Sequence, residues 1–86
     1  MRETTKCLKA LANERRLKIL RELAKHEPLI INEIADRIGL SLKSTSKHIQ
    51  KLTGCNMIER EQKSLQVYCY LNRKHAMLRS LLNHLN

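Results

Sequence analysis

Eight residues between Ser41 and Lys51 have types and spacing suited to hydrogen-bonding phosphate oxygens and the edges of bases. They are hydroxyl, amide and ammonium donors with one leucine among them: Ser41, Leu42, Lys43, Ser44, Ser46, Lys47, Gln50 and Lys51. Donors of this kind reach phosphates and base edges in a major groove. The three lysines are four residues apart, which places them along one side of a helix.

The positive charge of this segment is not compensated locally. No Asp or Glu occurs between Lys43 and Cys55, so no ion pairs within the helix would offset the lysines. An ordinary solvated amphipathic helix is the alternative interpretation. The whole chain has 17 Lys and Arg against 8 Asp and Glu, a formal net charge of +9, of which residues 41–86 carry +6. This excess indicates a polyanionic partner.

Two short helices joined by a tight turn are predicted to position these donors. Asn32 is expected to cap the first helix, Gly39 to end it in the left-handed conformation, and Ser41 to cap the second. The inward positions recur at helical spacing: Ile34, Ala35 and Ile38 in the first helix, and Thr45, Ile49 and Leu52 in the second. This is the layout of a helix-turn-helix DNA reader.

The remaining elements complete a single domain, since 86 residues are enough for one core but too few for two. Helices are predicted from about Thr5 to Leu11 and from Glu14 to about Lys25, and Leu29 to Ile31 as a short strand or extended segment. Asn56 is expected to take the left-handed conformation before a hairpin. The predicted fold over residues 1–86 is mainly α with a small antiparallel β-hairpin: a winged helix-turn-helix of about five helices and a two-stranded wing.

The predicted wing has strands from Met57 to Glu61 and from Leu65 to Leu71 around residues 62–64. The second strand turns Leu65, Val67, Cys69 and Leu71 inward by alternation. The turn lacks an Asn-Gly or Asp-Gly pair, so more than two residues are allowed for it. Arg60 and Lys63 could contact phosphates; solvated charges beside Glu59 and Glu61 are the alternative.

A leucine stripe near the carboxyl end suggests a homodimer. Asn72 is expected to cap a last helix from about Arg73 to Leu85, whose stripe at i, i+3, i+4 and i+7 needs a partner. A two-fold contact with the first helix would provide it, although the domain's own core is the alternative. The predicted interface residues are Cys7, Leu8, Leu11, Leu78, Leu81, Leu82 and Leu85.

The cysteines and histidines do not form a metal motif. Cys7, Cys55 and Cys69 are widely spaced with no CxxC, so buried thiols are expected and no cofactor is predicted. His26, His48, His75 and His84 are expected to be surface or half-buried side chains, with His48 able to orient on a phosphate. A redox response is the open alternative, because Cys7 lies between Lys6 and Lys9 and might pair across subunits or with Cys55.

Several other function classes are disfavoured by the sequence. No apolar run approaches the roughly 20 residues that span a bilayer, and no signal core is seen, so a cytoplasmic chain without a membrane partner is expected. No nucleophile lies beside a base in a known motif, which argues against an enzyme. Only Tyr68 and Tyr70 could stack on single-stranded RNA. A protein-interaction module that binds an acidic partner stays open.

Three segments carry a resemblance to a known family. Residues 8–20 (LKALANERRLKIL), 34–41 (IADRIGLS) and 46–52 (SKHIQKL) resemble the ArsR-type winged-helix transcriptional repressors, and the resemblance covers residues 8–71. It implies a dimer joined through the first and last helices, a reading helix in each major groove, wings along the backbone and an inverted-repeat operator. The family's DNA-contacting positions map to Lys43, Ser44, Ser46 and Lys47.

The chain departs from the metal sensors of that family. Their Cys-x-Cys pair would fall on Ile30 and Asn32, neither of which can replace a soft ligand. Their Asp-x-His pair on the last helix is not reproduced either, since Arg73 stands two residues before His75. The resemblance therefore implies a repressor without the usual metal ligands.

Overall fold

The computed structural model describes residues 2–85, and over this range it confirms the predicted winged helix-turn-helix fold. The helices are α1 (Arg2–Leu11), α2 (Glu14–His26), α3 (Ile31–Ile38), α4 (Leu42–Gly54) and α5 (Ala76–Leu82). The strands are β1 (Leu29–Ile30), β2 (Ile58–Lys63) and β3 (Gln66–Leu71). No helix within this range combines the length and apolar character that a membrane crossing requires.

Local capping groups fix the helices as the sequence predicts. The Asn13 side-chain oxygen accepts the backbone N–H of Arg15 at 3.0 Å, at the start of α2. The Ser41 hydroxyl accepts the Ser44 N–H at 3.1 Å, at the start of α4. Gly39 ends α3 with φ of 70°, and Asn56 has φ of 62°, so both predicted left-handed residues are confirmed.

Two predicted caps are wrong. The first helix of the pair begins at Ile31 rather than after Asn32, and the Glu33 carboxylate accepts the Ile30 N–H at 3.0 Å. The last helix begins at Ala76 and is shorter than expected, because His75 caps it by accepting the Leu78 N–H at Nδ1, 3.3 Å away. An imidazole nitrogen with a lone pair can replace the oxygen of an ordinary cap.

Asn72, the residue expected to cap the last helix, instead ties two turns together. Its side-chain oxygen accepts the Lys74 N–H at 3.2 Å, and its amide donates to the Asn56 carbonyl at 2.9 Å. These bonds hold the residues that follow α4 against those that follow β3. The carboxamide therefore stabilises a junction between distant segments instead of the helix immediately after it.

The three strands form one antiparallel sheet in the order β1-β3-β2, so the hairpin gains a third, short strand. The wing consists of β2, β3 and the Ser64–Leu65 turn, with Lys63 opposite Gln66. The expected turn at residues 62–64 is thus displaced and only two residues long, with Ser64 at φ of 57°. Leu65, predicted inward, is 94% exposed because the wing tip projects beyond the core.

The core lies among the five helices and the sheet. Its fully or nearly fully buried side chains include Ile19, Leu20, Leu23, Ile34, Ile49, Leu52, Met57, Ile58, Cys69 and Leu78. The predicted inward residues of α4 are confirmed, and the buried Thr45 hydroxyl donates to the Ser41 carbonyl at 2.8 Å. One face of α4 is therefore anchored, which leaves the other available to a partner.

Candidate nucleic-acid interface

The outer face of α4 presents a row of lysines, which we call the lysine row: Lys43, Lys47 and Lys51. All three are exposed, as is Gln50, whose position follows Lys43 by almost two turns. The 13-residue helix is about 20 Å long at 1.5 Å per residue, long enough to lie in a major groove. The arrangement is a rigid rod with cations along one side.

The smaller predicted contact residues lie at the amino-terminal end of this face. Ser44 and Ser46 are half-buried, Ser41 is exposed, and the Leu42 side chain is 49% exposed. Leu42 and Ser46 line a shallow groove that also includes the wing-tip residue Leu65. Hydroxyls and an apolar surface thus adjoin the lysine row on the side that faces the wing tip.

The electrostatics of α4 favour an anion. None of the three ion pairs within residues 2–85 involves the lysine row, and α4 contains no carboxylate. The amino-terminal N–H groups of a helix add a partial positive charge at its first turn, next to Ser41. Because nothing on the helix offsets these charges, its outer face attracts phosphates.

The two predicted wing cations differ in their surroundings. The Lys63 ammonium lies 3.4 Å from the Glu61 carboxylate and 5.9 Å from the centre of the Tyr68 ring. Its hydrogen bond to Glu61, with the attraction of that carboxylate, raises the pKa of Lys63 above its ordinary value. Arg60 has no carboxylate within ion-pair distance among residues 2–85. Arg60 is therefore the wing cation that a phosphate can engage without breaking an existing ion pair.

His48 is turned toward α2 rather than toward a free phosphate. Its Nδ1 accepts a hydrogen bond from Arg16 Nε at 3.2 Å, and the ring is half-buried. Burial first, and then the charges of Arg16 and Arg15, hold the pKa of His48 below its ordinary value of 6.5. The histidine thus joins α4 to α2 as a neutral acceptor. The other histidines lie where the sequence predicts, with His26 and His84 exposed and His75 half-buried.

The residues predicted for the dimer interface separate into two groups. Leu8 is 55% exposed, and the half-buried residues packed against the core are Leu11, Leu81, Leu82 and Leu85. Cys7 and Leu78 are buried in the protomer's own core. Of the residues predicted for the interface, Cys7 and Leu78 are therefore not accessible to a second copy.

The cysteines correct the expectation of three buried thiols. Cys7 and Cys55 are joined as a disulfide, with Cα atoms 5.5 Å apart, so the pairing within one chain that the sequence left open is the one observed. Cys69 is a free buried thiol, and burial raises its pKa. His75 completes a cluster, since its Nε2 lies 3.9 Å from Cys7 Sγ. The sequence does not predict the place of His75 beside the cysteines, because no spacing rule links it to either of them.

Comparison with known proteins agrees with this geometry. A family model described as winged helix-turn-helix DNA-binding matches residues 13–59. The transcriptional repressor PagR of Bacillus anthracis is 31% identical over 72 residues, covering 84% of this chain and 72% of PagR. The nodulation protein NolR of Rhizobium meliloti is 34% identical over 74 residues, covering 86% of this chain but only 59% of NolR.

A solved structure extends the likeness to the whole fold. The homodimeric winged helix-turn-helix DNA-binding domain of Mb0332 from Mycobacterium bovis, a possible ArsR-family regulator, matches with a TM-score of 0.83 and 29% identity. The match covers 95% of this chain and 76% of that domain. The chain therefore belongs to the winged helix-turn-helix DNA-binding proteins. Within that class it is of the ArsR type, as the three sequence segments predicted.

Proposed function

We propose that the chain is a transcriptional repressor that binds a specific sequence of double-stranded DNA as a homodimer. The observation that carries the proposal is the lysine row, which is exposed and has no carboxylate on its own helix, while the opposite face of α4 is fixed in the core. A polycation held rigidly on one helix can enter a major groove without first becoming ordered.

The contacts divide by chemistry. Phosphate oxygens would be bound by Lys51 and by the amino-terminal end of α4 at Ser41, which sets the position of the helix on the duplex. Base edges would be read by Lys43, Ser44, Ser46, Lys47 and Gln50. Leu42 provides an apolar surface of the kind that packs on a thymine methyl group.

The wing would follow the backbone beside the groove. Arg60 is exposed and can bind a phosphate directly. Lys63 must first give up its ion pair with Glu61. Exchange of one anion for another gains little energy at an exposed site. The wing therefore contributes less affinity than α4.

A homodimer would double this surface. Leu8 is the most exposed apolar side chain of α1, and the half-buried leucines of α1 and of the carboxyl-terminal segment would add to the apolar contact with a second copy. A two-fold axis would place two copies of α4 in successive major grooves, about 34 Å apart, which requires an inverted repeat. The Mb0332 domain is itself described as homodimeric.

The same proposal assigns the chain a binding role with no catalytic step and no required cofactor. A repressor acts where the DNA is, so we place it in the cytoplasm.

Fluorescence anisotropy tests the proposal. The purified protein is titrated onto the duplex upstream of its own gene and onto a mixed-sequence duplex, at low and at moderate salt. We expect tighter binding to the upstream duplex and a steep loss of affinity as salt rises. Absence of binding to either duplex at low salt would refute DNA binding and favour the protein-interaction alternative.

A further inference from the structure

The first helix and the reading helix are joined through a pair of sulfur atoms. Cys7 lies in α1 and Cys55 directly follows Gly54, the last residue of α4. Their Cα separation of 5.5 Å is in the range that a disulfide requires. Neither cysteine belongs to the DNA-reading surface, so the proposed function does not use them. We propose that Cys7 and Cys55 form a reversible dithiol–disulfide site, which we call the thiol pair, that is oxidised by a hydroperoxide.

His75 is placed to activate the thiol pair. Because its Nδ1 accepts the Leu78 N–H, the proton of the neutral ring resides on Nε2, which faces Cys7 Sγ at 3.9 Å. A donor beside a sulfur stabilises the thiolate, which is the form that attacks an oxidant. The Lys6 side chain adds positive charge, since it lies over Gly54, next to Cys55. The surroundings of the thiol pair therefore supply a hydrogen-bond donor and positive charge, two features that favour the thiolate.

The same hydrogen bond argues against a metal ion, although two sulfurs and an imidazole nitrogen lie within 4.8 Å of one another. A metal on His75 Nε2 would need the lone pair of that nitrogen, which moves the ring proton to Nδ1. The Leu78 N–H would then lose its acceptor and α5 its cap. Histidines that bind metals usually donate from the other ring nitrogen, the reverse of this arrangement.

The reaction balances with a hydroperoxide as the only oxidant. The Cys7 thiolate, at 6% exposed the more accessible of the two, attacks the terminal peroxide oxygen. An S–O bond forms, the O–O bond breaks, and the departing alkoxide takes a proton to become an alcohol, or water in the case of hydrogen peroxide. Cys55 sulfur then attacks the Cys7 sulfenic acid, forming the S–S bond and releasing water. The two sulfurs lose two electrons in total, and the peroxide gains them.

Oxidation closes a loop between residues 48 apart in the sequence and fixes α1 to the carboxyl end of α4. Constraining the unfolded chain in this way raises the melting temperature, by roughly 10 °C or more for a chain of this size. α1 carries Leu8 of the proposed dimer surface, so the oxidation state of the thiol pair also bears on how firmly the two copies of α4 are held.

The test begins with the reduced protein and stoichiometric hydrogen peroxide. We expect Cys7 and Cys55 to be lost as free thiols, a linked peptide containing both, and full recovery with dithiothreitol, while buried Cys69 stays reduced. The oxidised form should have the higher melting temperature. Reaction of the thiol pair no faster than Cys69 would overturn the proposal. So would tight cobalt binding with a thiolate-to-metal absorption band and protection of the thiols from peroxide.

His75→Asn is the matched variant for the activating residue. Asparagine still caps a helix, because its side-chain oxygen can accept the Leu78 N–H, but it is too short to reach Cys7. We expect unchanged helix content and melting temperature in the reduced state, with oxidation of the thiol pair slowed severalfold. An unchanged rate of oxidation would refute the activating role of His75.

The coupling to DNA rests on the proposed function and has its own readout. The oxidised form should bind the upstream duplex more tightly than the reduced form, because fixing α1, which carries Leu8 of the proposed dimer surface, holds the two copies of α4 more firmly relative to each other. Equal affinities would refute the coupling. If neither form binds DNA, the proposed function fails while the peptide and thiol measurements still decide the chemistry of the thiol pair.

Discussion

The reading helix and the wing both carry exposed cations, but only the wing pairs one with its own carboxylate. The lysine row on α4 has no carboxylate on its helix, and the helix is anchored by Ile49 and Leu52. In the wing, Glu59 and Glu61 alternate with the cations, and Lys63 already pairs with Glu61. The charge that a surface offers to DNA therefore depends on local compensation as well as on the number of lysines.

The largest expected effect is the loss of stability when a side chain that anchors α4 in the core is removed. Ile49→Ala removes a fully buried side chain from α4 and should cost about 2–5 kcal/mol of stability, the usual range for such cavities. Val67→Ala, in the half-buried part of the wing, should cost clearly less. Urea denaturation gives the free energy of unfolding of both variants and so compares the two losses. Equal losses would mean that the wing is as firmly anchored as α4.

Next in size is the loss of a reading contact. Lys43→Ala and Lys47→Ala should each weaken binding to the upstream duplex, by about 1–3 kcal/mol where the contact is a bidentate base contact and by less where it is to a phosphate. Lys25→Ala at the end of α2 removes the same charge elsewhere and serves as the control in anisotropy titrations. A loss of equal size in the control would reduce the role of α4 to non-specific charge.

A smaller effect tests compensation in the wing. Glu61→Gln frees the Lys63 ammonium, so DNA binding should tighten by a few-fold at most at low salt. Glu59→Gln removes the same charge from the same face of β2, and Glu59 makes none of the ion pairs found among residues 2–85. Tighter binding in the Glu61 variant than in the Glu59 variant is expected. Identical gains would show that net charge, not release of Lys63, matters.

The smallest effect is the pH dependence of α4's attachment to α2. Because the pKa of His48 is lowered in the folded state, its unfolded form binds the proton more readily. The contribution of His48 to the free energy of unfolding is therefore fully present above pH 6.5, and it is lost as the pH falls through the lower pKa of the folded state. Between pH 7.5 and pH 5 the melting temperature should fall less for His48→Gln than for the wild type. The exposed His26→Gln should behave as the wild type does.

The elements that the sequence predicted well are those fixed by near neighbours. Ser41 caps α4 by accepting the N–H of a residue three positions further on, and Gly39 ends the helix before it, so composition and periodicity within a few residues were enough. The same holds for the inward face of α4. The reading surface followed at once, because the outward residues of a helix are fixed when its buried ones are known.

The features that the sequence did not predict depend on contacts between distant segments. His75 meets Cys7 across 68 residues, and its role as a cap depends on a tautomer that no pattern encodes. Leu65 fits the alternating pattern of β3, but it lies in the turn at the wing tip, which extends beyond the core, so its side chain is exposed. Periodicity predicts the face on which a residue lies, but only the packed structure shows whether anything covers that face.

In the proposed function α4, and not the wing, reads the DNA sequence. The most direct test is the ratio of affinities for the upstream duplex and a mixed-sequence duplex, measured for Lys43→Ala/Lys47→Ala and for Arg60→Ala/Lys63→Ala. We predict that the ratio collapses toward one in the α4 variant and survives in the wing variant, even where both bind more weakly. A ratio that survives in the α4 variant, or collapses in the wing variant, would contradict the assignment of sequence reading to α4.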